Sequence, residues 1–230
     1  ALWYNNLRVM ALVAELAGDA TRAREFTARA DEVAENFTTM FWNKAHDCLF
    51  DVVDDAGNKD PAIRPNQLLA TSLPFSPLEP ELQKKIIATV EKTLLTPMGM
   101  RTLAPGSLGY HGRCAGDQLA RDMAYHQGTV WPWLIGPFVS GYVHVNGHTA
   151  AAREKARGFL KPFAAHLHKA GLGSICEIAD GDPPHTPRGC VAQAWSVAEV
   201  LRSYYEDVLG QAPTWPHERQ HQLAGVGTGR

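Results

Sequence analysis

The sequence predicts an all-α protein, a toroid of helical hairpins, and three observations support this. Apolar residues recur at helical spacing in about seven segments. The segments are joined alternately by short turns (17–21, 145–149) and long loops (96–126, 171–189). No strand–glycine–helix unit of the kind that cradles phosphates or dinucleotides occurs. Short turns at one end and long loops at the other place a site among the long loops. A plain bundle or a solenoid would also fit this helix count, but no repeat of roughly 34 or 40 residues supports a solenoid.

Taken in order, residues 1–17 carry apolar side chains at Leu2, Leu7, Met10, Val13, Ala14 and Ala17, and Gly18 ends the helix. Asp19 is the candidate cap of the next helix, 21–42, whose inner stripe is Ala23, Phe26, Ala30, Val33, Phe37 and Phe41. Residues 49–53 are β-prone and meet the turn Asp54-Asp55-Ala56-Gly57, which suggests a small hairpin. A short helix over 66–73 follows Arg64-Pro65 and stops at Pro74. Residues 79–95 turn Leu82, Ile86, Ile87, Val90 and Leu94 inward. Residues 96–123 read as a loop with one short strand near 101–103; a loop that long inside a compact domain usually has a function. Residues 130–145 are almost wholly apolar, with Pro132 suited to the first turn of a buried helix. Residues 149–170 form another amphipathic helix, and 190–209 the last, with Val191, Ala194, Trp195, Ala198 and Leu201 on its expected buried face. The domain is expected to cover 1–209, with 210–230 a flexible tail.

With 230 residues, 45% hydrophobic and 20% charged, the composition is that of a soluble globular protein. A net charge of −2 gives no electrostatic footprint for nucleic acid or an anionic membrane surface. The apolar run 130–139 is too short and too broken by Pro and Gly to span a bilayer. No signal peptide is visible, and the absence of an initiator Met suggests a fragment of a longer chain. Cys48, Cys114, Cys176 and Cys190 are scattered without CxxC pairs, as expected of free thiols in a reducing, cytoplasmic compartment. The pairs His144/His148 and His217/His221 have i, i+4 spacing but lack the acid of an H-E-x-x-H site. Neither a metal nor a cofactor is expected.

Two stretches carry chemistry. In 175–202 the acids Glu177, Asp180 and Asp182 share a Pro-rich loop before a helix, a place where catalytic carboxylates and solvated turn formers are equally at home. In 121–138, Tyr125, His126, Gln127, Trp131 and Trp133 combine aromatic faces with neutral donors and acceptors. Sugars want that combination, because their C–H faces pack on rings while their hydroxyls need partners. The tryptophans fit a core equally well; the polar Tyr-His-Gln run before them does not. Trp3, Tyr4 and Asn5, and Arg64, Asn66 and Gln67, repeat the pattern at helix starts.

Five segments, ALWYNNLRVMA, IRPNQLLATS, GMRTLAPGSLGYHGRC, RDMAYHQGTVWPWLIGPF and EIADGDPPHTPRGCVAQAWSVAEVLR, in that order, closely resemble the C-terminal glucosidase domain of glycogen debranching enzymes, the amylo-α-1,6-glucosidases. The resemblance covers residue 1 to about 209. It implies an (α/α)6 barrel, of which about seven of twelve helices are present, with short hairpins inserted in the loops. It also implies inverting, metal-free hydrolysis of the α-1,6-linked glucose at branch points of a glycogen-like glucan. Glu177 matches the family's general base, while the general-acid Asp lies upstream of ALWYN and so outside this chain. The rest of the barrel is expected from upstream sequence or another chain, and the fragment alone is expected to be inactive. Sugar contacts are implied for His126 and Gln127 in the −1 subsite and for Trp131 as its floor. Tyr125, Trp3, Tyr4, Asn5, Arg64, Asn66, Gln67, Asp180 and Asp182 complete the expected set. Alternatives are a barrel hydrolase of another α-glucoside such as trehalose, or a non-catalytic carbohydrate-binding domain.

Overall fold

The computed structural model describes residues 1–211. Helix α1 (Leu2–Leu16) ends where Gly18 adopts φ +76°, and the amides of Gly18 and Asp19 return to the carbonyls of Glu15 and Ala14. Glycine takes that left-handed position without steric cost, which makes it a preferred helix stop. Asp19 then caps α2 (Ala20–Phe41) by accepting the Arg22 amide at 3.0 Å. Tyr4, Leu7 and Ala30 pack between the two helices.

Two small antiparallel ribbons follow, β1 (Trp42–Asn43) with β2 (Cys48–Leu49) and β3 (Val52–Val53) with β4 (Lys59–Asp60). The hairpin around Asp54 to Gly57 is as expected, but Leu49 belongs to the first ribbon instead. Pro65–Leu68 form a 3-10 turn that runs into α3 (Leu69–Ser72), and α4 (Pro80–Thr93) begins on a proline, whose missing N–H costs nothing in a first turn. The main core lies between α3, α4, α6 (Ile135–Val145) and α7 (Ala150–His166), where Leu68, Ile86, Val90, Phe138, Val139 and Phe163 are buried. Helix α6 is buried on most sides, as its apolar sequence requires. Its Gly141 allows a close crossing of α3, since a β-carbon there would stand 2.7 Å from Thr71 Oγ1.

The long loops are more ordered than expected. Strands β5 (Leu95–Thr96), β6 (Gly99–Arg101), β7 (Val130–Trp131), β8 (Ile178–Ala179) and β9 (Pro187–Arg188) form one antiparallel five-stranded sheet in that order, and α5 (Gln118–Ala124) lies between β6 and β7. The chain is therefore mostly helical with small sheets rather than purely α. Strands of two or three residues are too short to show alternation, and β7 and β8 lie far apart in sequence, so no local pattern announces them.

The last helix, α8 (Ala194–Ser203), also differs from expectation. Trp195 is 45% exposed and Leu201 63%, with Val191, Ala194 and Ala198 exposed on the same stripe. The side facing α6 instead buries Ser196 and Ser203. Periodicity finds an apolar stripe but does not say which neighbour covers it. Leu2 and Val13 of α1 are exposed in the same way. Among the described residues no helix is long and apolar enough to cross a membrane. His217, His221 and nearly all of the expected tail lie outside the described residues.

His166, at the end of α7, is buried and accepts the Cys176 amide on Nε2 at 3.3 Å. Burial lowers its pKa. Below about pH 6.5 the unfolded chain therefore binds a proton that the folded chain resists, so the stability His166 contributes is complete above that pH and lost on acidification. The melting temperature is expected to fall between about pH 7.5 and pH 5.5. His166→Gln, which keeps an acceptor but cannot titrate, should flatten that slope when measured by calorimetry.

Candidate active site

The β8–β9 hairpin presents Glu177. Ile178 pairs with Arg188, and one step further out the Glu177 amide donates to the Cys190 carbonyl at 2.9 Å, skipping Gly189. Gly189 has φ +66°, so it is the left-handed residue of a bulge that re-aims the strand. The hairpin is braced through Asp180, which is buried. Its carboxylate accepts the Cys114 amide at 2.9 Å and the Arg188 guanidinium at 3.0 Å. Asp182 accepts the Tyr110 hydroxyl at 2.9 Å, and Arg101 Nε donates to the Gly181 carbonyl at 2.8 Å. Asp180 and Asp182 thus have protein partners where sugar contacts were expected.

Glu177 is half-buried and held by both oxygens. Oε2 accepts the Cys190 amide at 2.9 Å, and Oε1 accepts the Tyr125 hydroxyl. Burial by itself opposes ionisation, but the hydrogen bonds from Tyr125 and Cys190 outweigh it and leave the carboxyl below its ordinary pKa. Glu177 is therefore a carboxylate at neutral pH. Burial first, and Glu177 second, push the Tyr125 phenol well above its usual range, so Tyr125 remains a donor.

Tyr125 connects Glu177 to an aromatic cleft. Its ring meets those of His126 and Trp131 edge-on, each at 4.9 Å, and His126 and Trp131 stack on each other at 5.1 Å and 12°. The Trp131 indole N–H donates to the Tyr125 carbonyl at 3.0 Å. Trp195 meets Trp131 edge-on and stacks on Trp133, both at 5.6 Å. The resulting cleft, about 350 Å³, is lined by Arg64, Asn66, His126, Trp131, Trp133 and Trp195.

Arg64, which also lines the cleft, ties several segments together. Its guanidinium donates to the carbonyls of Thr102 and His126 at 3.0 and 2.8 Å and to Gln127 Oε1 at 2.7 Å, and it faces Asp51 at 3.6 Å. Asp51 also accepts the Asn66 amide group at 2.8 Å. Gln67 is buried and holds the Arg64 carbonyl and the Leu49 amide. The residues of α1 are not part of this cleft. Trp3 is exposed beside a groove between α1 and α2, Tyr4 hydrogen-bonds Arg8, and Asn5 accepts the Phe75 amide.

Of the expected residues, then, Arg64, Asn66, Gln127, His126, Trp131, Tyr125 and Glu177 converge, while Trp3, Tyr4 and Asn5 lie apart. Trp133, named within the sugar-suited run, lines the cleft as well, and Asp51 and Trp195 join the site without having been singled out for it. Asp51 sits inside a stretch that reads as a strand, and its only signal is an acid interrupting LFDVV. Among the described residues no group of three or more His, Cys, Asp or Glu is placed to hold a metal ion.

The family model of amylo-alpha-1,6-glucosidase matches residues 1–202. The chain belongs to that family. A curated relative is the glycogen debranching enzyme of Saccharomyces cerevisiae, 28% identical over an alignment 167 residues long that covers 64% of this chain and 11% of that protein. The family member described here thus spans about a tenth of that relative's length. Among solved structures, neutral trehalase from Saccharomyces cerevisiae aligns with a TM-score of 0.56 at 15% identity, covering 88% of this chain and 33% of that one. A sialidase aligns with a TM-score of 0.69 at 14% identity, covering 92% and 19%. At these identities the likeness is one of fold alone.

Gly189 gives a direct test of the glucosidase-family hairpin. A β-carbon there would stand 2.5 Å from Glu177 Oε2 while the backbone stays at positive φ. Gly189→Ala is expected to cost about 1–2 kcal/mol in denaturant unfolding from the backbone alone, and to displace the carboxylate.

Proposed function

We propose that the chain is the C-terminal part of an (α/α)6 glucosidase domain, and that its parent removes α-1,6-linked glucose at the branch points of a glycogen-like glucan with inversion. The observation that carries this reading is Glu177, kept ionised by Tyr125 and Cys190 and linked through Tyr125 to an aromatic cleft. In the reaction, Glu177 takes a proton from a water as that water attacks the anomeric carbon, and an acid on the other face of the sugar protonates the leaving oxygen. Inversion requires the two carboxyl groups about 6.5–9.5 Å apart, leaving room for the water. The acid is supplied by an upstream segment or another chain. The exposed apolar stripes of α1 and α8 support this, since they suit the missing part of a barrel.

His126, exposed and backed by the buried Trp131 on which it stacks, offers a flat ring for a sugar to pack against. Gln127 and Asn66, oriented by Arg64 and Asp51, supply neutral hydrogen-bonding groups for hydroxyls. Neither a metal nor a cofactor has a step in this chemistry. The near-neutral charge suits an uncharged glucan, and the four free thiols suit a reducing, cytoplasmic setting. A second reading, hydrolysis of another α-glucoside such as trehalose, is supported by the fold shared with neutral trehalase.

The test uses the longest natural form of the protein and measures glucose release from branched limit dextrin and from trehalose. Glu177→Gln is expected to lower kcat on dextrin by about 10²–10⁴-fold, as loss of a general base does, while dextrin binding persists. Turnover of trehalose alone would select the second reading. Undiminished turnover by the Gln variant would refute the assignment of Glu177.

A further inference from the structure

Tyr125 was expected to touch sugar, yet its hydroxyl is spent on Glu177. Tyr125 is not among the residues lining the aromatic cleft and instead lines a second cavity with Cys114, Arg121, Asp122 and Arg188. We infer that Tyr125 is a positioning residue for the catalytic carboxylate, its hydroxyl setting where Glu177 sits and how it meets the attacking water. This inference rests on the reading of Glu177 as the general base.

Three features make the phenol suited to that task. It is fixed, because its carbonyl is held by the Trp131 indole and its ring packs edge-on against both members of the stacked Trp131–His126 pair. It is a permanent donor, because burial and Glu177 both keep its proton on. It also completes a two-sided grip, with the Cys190 amide on the other oxygen, so the carboxylate cannot rotate without losing a charge-assisted hydrogen bond. The other titratable or charged groups near the pair are the Cys190 thiol, Cys114, Arg188, Arg121, Asp122 and His126. Only Tyr125 and Cys190 hydrogen-bond the carboxylate itself. Without the phenol, burial of Glu177 is opposed by Cys190 alone, and the carboxyl takes up a proton more readily.

The experiment is a pH profile of kcat/KM on limit dextrin for the longest natural form, with Tyr125→Phe and with 3-fluorotyrosine at position 125. Tyr125→Phe is expected to lower kcat about tenfold, the worth of one charge-assisted hydrogen bond. KM should change little, and the acid limb should move to higher pH. The fluorinated residue keeps the shape and donates more strongly, so the limb should move to lower pH with kcat retained. A raised KM with the limb unmoved in the Phe variant would overturn the inference and restore a sugar-binding role. Should the Phe variant fail to fold, an unmoved limb with 3-fluorotyrosine overturns it equally. Glu177→Gln, run alongside, separates the two readings. If it abolishes turnover while the Tyr125 limb stays put, only the positioning role fails. If it leaves turnover unchanged, the base assignment and this inference fall together.

Discussion

The buried carboxylate of Asp180 is the constraint on which the site depends. Its side chain is only 5% exposed, and a bare charge at such depth is untenable unless paired and hydrogen-bonded. The Arg188 guanidinium and the Cys114 amide supply both needs. Arg188 lies across the hairpin and Cys114 in the loop between β6 and β7, so one acid fastens β9 to β8 and both to a distant loop. Glu177 is three residues away, at the other end of β8. Its position follows from where Asp180 is anchored and from the bulge at Gly189. Removing one partner of a buried pair is far more damaging than never having had the pair, so this anchor permits little change at either end.

Arg64 performs the matching task at the aromatic cleft. Four groups from three separate segments, Asp51, Thr102, His126 and Gln127, converge on a single guanidinium. A planar fork with several fixed donors can meet carbonyls and a side-chain amide at once, which a lysine ammonium cannot reproduce. The segment from Tyr125 to Gln127 is thereby held by Arg64 through His126 and Gln127 and by the Trp131 indole through Tyr125. Short strands then fix these clamps relative to one another, with β7 leaving directly from the clamped segment and pairing with β8, just after Glu177.

The helices were legible because their signals are local. Gly18 ends α1 and Asp19 caps α2 within one turn of where they stand. The sheet was not, since its pairings cross long stretches of chain and each strand is too brief to show a period. The apolar stripe of α8 was correctly found, but its direction was not: burial depends on neighbours, and here Ser196 and Ser203, small enough for close approach to α6, take the inner side. The motif residues of the site were legible through family resemblance, whereas their tasks were not. Tyr125 and Glu177 are 52 residues apart, and nothing in either segment indicates that they meet. Asp180 and Asp182 show the same limit, as acids in a loop whose partners lie in another loop.

The Cys190 thiol is exposed immediately beside Glu177, and the neighbouring carboxylate raises its pKa. A thiol reacts with oxidants and electrophiles through its thiolate, which a nearby negative charge suppresses. The acid gripped by the Cys190 backbone therefore keeps the Cys190 side chain chemically quiet. An exposed sulfur at the edge of the site is passivated by the group it helps to hold.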